Sequence, residues 1–227
     1  MVRFRILALT MGSFAVGTGA YVVAGVLVDI AEDLSVSVAT AGLLISVFAI
    51  TFALASPLLV AATSSVARRR LVVGALILFA LANVAAALAP SFSVLLLARV
   101  VAALGAAVFT PVASAVAAGL ASPGMQGRAL SVRTLGSTVA FLVGVPLGTV
   151  IGGYYGWQTS FLLVATLAAL AALGAKVMLP DVAHDFGASA GGTFLSHLYI
   201  ARRGAIFAVL SLSLLTLMAS FVVLTYV

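Results

Sequence analysis

Runs of about twenty apolar residues recur along this 227-residue chain, and they constrain its fold more than any other feature. A helix needs about 20 such residues to cross a bilayer core, where helices and closed barrels satisfy their own backbone hydrogen bonds. The sequence therefore predicts an all-α integral membrane protein. Division at charges and turn residues gives seven segments, at 6–28, 39–62, 71–88, 93–120, 131–153, 159–179 and 204–227.

Composition excludes most other classes of protein. Hydrophobic residues make up 64% of the chain and charged residues 7%, whereas soluble domains are about a quarter charged. The net charge of +6 comes from bases clustered between apolar runs, a pattern typical of membrane orientation rather than nucleic acid binding. Cysteine is absent, and His184 and His197 lack the clustered carboxylates of a metal or catalytic site. We expect neither an enzyme nor a cofactor.

The basic residues also predict a topology. With a cytoplasmic N-terminus, ten of the 11 bases lie in or beside cytoplasmic segments. Acidic residues 29–33 then lie outside, together with Tyr154, Tyr155 and Trp157, which we interpret as an interfacial aromatic belt. We predict a multi-pass protein of the inner or plasma membrane. The ten bases are Arg3, Arg5, Arg68, Arg69, Arg70, Arg128, Arg133, Lys176, Arg202 and Arg203.

A polar, glycine-rich stretch divides the chain into unequal parts. We predict a six-helix bundle over 1–179, a cytoplasmic linker over 180–203 and a seventh transmembrane helix over 204–227. Pro57 and Pro146 occur late in the second and fifth segments. Two three-helix repeats would produce this match, and so would coincidence.

Small residues recur every fourth position in the fifth segment. Close packing of a neighbouring helix explains this spacing, and a specific role in transport is the alternative. Pro146 and Gly153 lie among them, and a proline there kinks the helix or frees a carbonyl. The stripe comprises Gly136, Ala140, Gly144, Gly148 and Gly152.

Arg99 is the one base that lies away from the cytoplasmic segments, six residues into the fourth predicted span. At about 9 Å below the outer boundary, a cation costs about 2.5–3.5 kcal/mol unless it is solvated. Its side chain either snorkels to the outer interface or faces an aqueous cavity and binds an anion, a substrate or a proton carrier. Tyr21 and Thr110 are further candidates for lining a substrate or proton pathway.

Several stretches resemble the major facilitator superfamily, and within it the drug/proton antiporter group that includes arabinose-efflux-permease-like and sugar-efflux transporters. The resemblance implies a six-helix N-terminal bundle of 3+3 repeats plus one further transmembrane helix. It also implies export of a drug or sugar by alternating access, usually with inward proton flow. Gly144, Pro146, Gly148, Gly152 and Gly153 match the antiporter motif. The similar stretches are 25–34, 97–107, with the family's Arg motif at Arg99, 135–153 and 156–161.

The chain departs from this family in its charges and its length. The loop between spans two and three keeps the basic cluster of the gate, Arg68, Arg69 and Arg70, but Ser64 stands where the family has an acid. No Asp, Glu or His lies in the middle of the first six spans, so the usual proton carrier is missing. The family has twelve spans, so we expect a truncated, split or fragmentary transporter whose partner is a second six-helix half or a second copy.

Two other classes of membrane protein are alternatives to a transporter. A seven-helix receptor or photosensor needs an inward-facing lysine or a large polar pocket, and Lys176 at a helix end provides neither. A non-transporting oligomeric channel or scaffold is the main alternative. For a half transporter, we expect the lipid bilayer and a small-molecule substrate as partners, and an exposed inner bundle face that includes Arg99 and the glycine stripe.

Overall fold

The computed structural model describes residues 2–179 and Ser211. The predicted linker and seventh helix otherwise lie outside the described residues. Within 2–179 every regular element is helical, which confirms the predicted all-α class. The elements are α1 (Val2–Gly25), α2 (Leu27–Asp33), α3 (Val38–Ala41), α4 (Leu43–Ala62), α5 (Arg68–Ala87), α6 (Phe92–Leu120), α7 (Gln126–Val139), a π-helical turn (Ala140–Gly144), α8 (Val145–Tyr155) and α9 (Trp157–Met178).

Six spans in this part of the chain are long and apolar enough to cross a membrane. The second span comprises α3 and α4, and the fifth comprises α7, the π-helical turn and α8. The boundaries follow the predicted segments, because charges and turn residues end the apolar runs in both. Residues 29–33, which the predicted segments leave in the first connection, form part of the short helix α2. The spans are Phe4–Gly25, Val38–Ala62, Arg68–Ala87, Phe92–Leu120, Gln126–Tyr155 and Trp157–Met178.

The spans pack as two interleaved sets of three. The most extensive contacts join the first span to the fifth and sixth, the third to the fourth and sixth, and the second to the fourth. If spans one, two and three are exchanged with spans four, five and six, each of these contacting pairs becomes another contacting pair. The pair of spans one and five becomes the pair four and two, and the pair one and six becomes the pair four and three. The packing therefore has the 3+3 symmetry that the two prolines suggested.

The two ends of the bundle differ in charge. At one end, Asp33 accepts hydrogen bonds from Trp157 Nε1 at 2.8 Å and Gln158 Nε2 at 3.3 Å, which joins the connection after the first span to the start of the sixth. At the other, Arg69 donates to the Lys176 carbonyl. We call these the acidic end and the basic end. Their separation agrees with the predicted grouping of the loops.

The three residues of the predicted aromatic belt differ in exposure, and the belt itself stays a prediction. Tyr154 and Tyr155 are 82% and 78% exposed, as side chains at a membrane interface should be. Trp157 is 2% exposed and packs edge-on against Phe161, with ring centroids 5.8 Å apart. It was wrongly assigned to the belt, because its indole N–H finds an acceptor in Asp33 and the rest of the ring fills the core.

Small residues bring the central helices close together. A Cβ added to Gly105 of α6 would lie 2.9 Å from the Ala75 carbonyl oxygen of α5 and 3.2 Å from the Phe79 side chain. The phenyl rings of Phe79 and Phe109 fill the remaining space and are fully buried. Because lipid is as apolar as the core, such van der Waals contact is the main force between these helices.

Candidate functional site

Arg99 lies entirely inside the bundle, with 0% of its surface exposed. Its Nη1 donates to the Gly19 carbonyl at 2.8 Å, its Nη2 to Ala20 at 3.3 Å and its Nε to Leu44 at 3.4 Å. The guanidinium carbon also lies 4.3 Å from the centroid of the Phe48 ring. The side chain thus joins α6 to the C-terminal third of α1 and to the first turn of α4.

The snorkelling explanation for Arg99 was wrong, and so was the expectation that it lies on an exposed face. Snorkelling requires the charged group to reach the interface, whereas this guanidinium turns into the core. Backbone carbonyls and an aromatic face solvate the cation there, and its planar array of five donors can serve several acceptors at once. Its predicted part in a substrate or proton pathway stays a prediction.

The glycine stripe packs against α1 along its whole length. Partner positions on α1 advance in the same direction as the stripe, so the two helices run parallel, as odd-numbered spans must. The stripe is therefore not on the exposed inner face that we expected, because small residues place it against α1. Four stripe positions face α1, and the fifth faces the residue just after α1 and also α9: Thr10 faces Gly136, Gly17 faces Ala140, Thr18 faces Gly144, Val22 faces Gly148, and Val26 and Ser160 face Gly152.

The antiporter motif begins at the π-helical turn. Pro146 has no N–H, so the Leu142 carbonyl four residues earlier loses its usual helical partner, and irregular turns are common at such points. Tyr21 of α1 packs on Phe141 within this turn, with ring centroids 4.3 Å apart. Tyr21 follows Ala20, an acceptor of Arg99, so α1 connects two of the predicted site features. Gly153 is exposed, and a Cβ added to it would meet no neighbouring atom within 4 Å.

Arg133 is a second buried arginine. It is one of the ten bases that the predicted topology places in or beside cytoplasmic segments. It lies on α7 with 7% of its surface exposed. Its Nη2 donates to the Thr110 carbonyl at 3.2 Å, and its guanidinium carbon lies 6.0 Å from the Phe109 ring centroid. Its Nε has no hydrogen-bond partner among the described residues. A helical-spacing test would have found it, since Arg133, Gly136 and Ala140 share one face.

Thr110 lies in a part of α6 where the helical ladder is interrupted. Pro111 has no N–H to offer the Ala107 carbonyl, and Ser56 Oγ of α4 donates to that carbonyl at 3.2 Å instead. Ser114 Oγ donates to the Thr110 carbonyl at 2.9 Å, so Thr110 also accepts from a hydroxyl. Hydroxyls, freed carbonyls and the Arg133 guanidinium thus form a polar region between α4, α6 and α7.

The basic cluster of the predicted gate begins α5. Arg68 and Arg69 are half-buried and Arg70 is exposed, and Ser64 is exposed in the preceding turn. The acids of residues 2–179 all lie in α2, at the opposite end of the bundle. The described part of the chain therefore supplies no carboxylate to this cluster. It also contains no group of three metal-ligating side chains.

Comparison with known proteins identifies the family. Residues 9–227 match the Major Facilitator Superfamily, and the chain belongs to this superfamily. An uncharacterized MFS-type transporter of Bacillus subtilis (strain 168), YbcL, is 38% identical over 182 residues, which are 80% of this chain and 47% of that protein. A chloramphenicol resistance protein of Streptomyces lividans is 41% identical over 172 residues, which are 76% and 44% of the two chains.

Two further comparisons agree with this assignment. A probable sugar efflux transporter of Mannheimia succiniciproducens is 30% identical over 224 residues, covering 99% of this chain and 55% of that protein. A bacterial homologue of the human lysosomal transporter Spinster, inward-facing and unoccupied, has a TM-score of 0.69 at 24% identity over 79% of this chain and 43% of that one. The chain spans about half the length of the curated relatives it matches. Family and relatives are transporters, so the chain is a multi-pass transporter-family protein rather than an enzyme.

Proposed function

We propose that this chain is the first six-helix half of an exporter for a small molecule of the drug or sugar class. It works by alternating access against a second six-helix half in the cell membrane, with its basic end in the cytoplasm. Relatives named for chloramphenicol resistance and sugar efflux support the substrate class. The proposal of a second half rests on the uneven burial of the six spans.

The second and fifth spans are the least covered part of the bundle. In their most apolar windows, 11% and 28% of residues are buried, against 39–61% in the other four spans. Leu54 on α4 and Leu142 in the π-helical turn are 67% and 73% exposed. The two spans occupy equivalent places in the two repeats, so their uncovered faces are a related pair. A second bundle docks on both faces and encloses the substrate path between the halves.

The substrate path on this half comprises the polar region at Thr110 and Arg133, together with Tyr21 and Arg99. Two buried cations and no carboxylate within the six spans favour a substrate with hydrogen-bond acceptors or partial negative charge on this side. Coupling to protons then requires a titratable side chain from the second half. The stripe of the antiporter motif holds α1 beside this path.

Reconstitution of transport tests the proposal. The purified chain is placed in liposomes with an imposed pH gradient, alone and with the second-half polypeptide of the Streptomyces lividans relative, and flux of chloramphenicol and of sugars is measured. We expect no saturable flux from the chain alone and substrate-specific, saturable flux from the pair. Saturable flux by the chain alone would show that it transports as a homo-oligomer, and flux by neither would favour the channel or scaffold alternative.

A matched pair of variants tests the docking faces. Leu54→Trp adds bulk to the second span, and Leu81→Trp adds the same bulk to α5, where the leucine is 62% exposed. We expect Leu54→Trp to abolish copurification with the second half and Leu81→Trp to leave it unchanged. Equal effects of the two variants would contradict docking on the second span.

Cysteine labelling tests the orientation. The chain has no cysteine, so Ser65→Cys at the basic end and Tyr155→Cys at the acidic end each introduce one thiol on an exposed residue. We expect an impermeant maleimide to label Tyr155→Cys in intact cells and Ser65→Cys only after lysis. The reverse pattern would place the basic end outside.

A further inference from the structure

A cavity of about 410 Å³ lies at the basic end, outside the polar region assigned to the substrate. Its size falls within the range of about 300–1,000 Å³ that is typical of ligand sites. The first turns of α1, the α6–α7 connection and the first turns of α7 enclose it. Six lining residues are apolar and two are polar: Ile6, Leu7, Ala121, Met125, Ala129, Val132, Ser122 and Arg128.

The polar side of this cavity carries an uncompensated positive charge. Arg128 is exposed and makes no hydrogen bond or ion pair with the other described residues. Arg5 precedes the lining residue Ile6 on α1, and Arg68, Arg69, Arg70 and Lys176 lie at the same end of the bundle. Because the acids of residues 2–179 are all at the acidic end, the described residues contribute a positive potential at this cavity. An anionic partner is therefore favoured over a neutral or cationic one.

The apolar side of the cavity faces the depth where lipid chains begin. Ile6, Leu7 and Val132 lie within membrane-crossing spans, whereas Arg128 and Ser122 lie at or beside their ends. Leu7 and Met125 are 49% and 44% exposed, which leaves the apolar wall accessible. Such a gradient, with a cation at the interface and aliphatic side chains below it, matches a lipid molecule rather than a water-soluble anion.

We propose that this cavity binds one anionic phospholipid from the leaflet at the basic end. The phosphate pairs with Arg128, and the upper part of an acyl chain packs against Ile6, Leu7 and Val132. Charge complementarity at the headgroup and the apolar wall below it together determine the occupant. The bound lipid contacts both α1 and α7, which also pack against each other through the glycine stripe.

Native mass spectrometry of the purified 227-residue chain tests this proposal, with phosphatidylglycerol and phosphatidylcholine of identical acyl chains as probes. We expect one phosphatidylglycerol to bind with measurable saturation and phosphatidylcholine to bind several-fold more weakly. Arg128→Gln should weaken phosphatidylglycerol binding about fivefold, the value for one basic residue at a lipid surface. Arg70→Gln removes an exposed arginine of the same end and should change binding by less than about twofold.

A second variant separates a lipid from a free anion. Leu7→Trp fills the cavity from an exposed position and should remove phosphatidylglycerol binding while size-exclusion profile and helicity stay unchanged. Inorganic phosphate should not bind the wild-type chain at millimolar concentration. Equal binding of the two lipids, equal loss in Arg70→Gln and Arg128→Gln, or unchanged binding in Leu7→Trp would each overturn the proposal.

Discussion

The two buried arginines of this bundle have opposite surroundings. Arg99, toward the acidic end, donates to three backbone carbonyls on two other helices and contacts an aromatic face. Arg133, on the other side of the bundle, donates to one carbonyl and leaves its Nε without a partner among the described residues. Neither has a carboxylate beside it among the described residues, whose acids all lie in α2.

This difference separates a structural arginine from one that has spare binding capacity. A cation whose donors are satisfied by the fold contributes to stability, because removing it breaks charge-assisted hydrogen bonds between helices. A buried cation with an unsatisfied donor lowers stability until another group approaches it. We therefore propose that Arg99 holds α1, α4 and α6 together beside the proposed substrate path, and that Arg133 is the arginine that contacts the substrate.

Replacement of Arg99 should have the largest effect on stability. Arg99→Met keeps much of the side-chain volume but loses all three charge-assisted hydrogen bonds, so we expect a loss of about 3 kcal/mol in the free energy of unfolding. Arg99→Lys should lose about half as much, since a compact ammonium cannot serve three acceptors on two helices. Denaturant titration in detergent micelles measures both values. Equal stability of the arginine and lysine forms would remove the distinction between the two sites.

Gly136→Ala should have the next largest effect, because it adds a methyl group where α7 packs against α1, about one turn after Arg133. The added Cβ would overlap the Thr10 carbonyl of α1, so we expect a loss of about 2 kcal/mol from overpacking. Gly74→Ala on α5 is the matched control, because nothing lies within 4 Å of its added Cβ. That variant should be neutral or slightly stabilising. An unchanged free energy of unfolding in Gly136→Ala would mean that α1 and α7 pack less tightly than the structure indicates.

The acidic end provides a test of smaller size. Asp33→Ala and Trp157→Phe each remove the hydrogen bond between Asp33 and Trp157, which joins α2 to the sixth span, and the double variant should lose little more than either alone. We expect a coupling free energy of about 1 kcal/mol from this double-mutant cycle. Additive losses would show that Asp33 and Trp157 do not interact in the membrane.

Arg133→Met should have the smallest effect on stability, and it contrasts most directly with Arg99→Met. Removing a cation with an unsatisfied donor should leave the free energy of unfolding within about 0.5 kcal/mol of wild type, or raise it. The same variant, paired with a second half, should lose most substrate flux. A loss of stability as large as that of Arg99→Met would show that Arg133 is structural too.

Local sequence settled the class and the six spans of the described residues. Hydropathy and turn residues act over a few neighbours, so the C-terminal ends of α4, α6 and α9 fall within one residue of the predicted segment ends. The glycine stripe was also readable, because its four-residue spacing is a property of a single helix. Its partner was not, since many helix faces accept small residues.

Tertiary structure decided everything that depends on which faces meet. Arg99 finds its acceptors 80, 79 and 55 residues away, and Asp33 finds Trp157 at a separation of 124 residues. The sequence marks a buried cation or an indole, but it does not state which carbonyl or carboxylate approaches it after folding. Arg133 shows the same limit: its position near a helix end suggested a topological role, and packing of α7 against α6 buried it instead. The physical reason is that helix formation depends on neighbours along the chain, whereas solvation of a charge inside a bundle depends on groups brought from other helices.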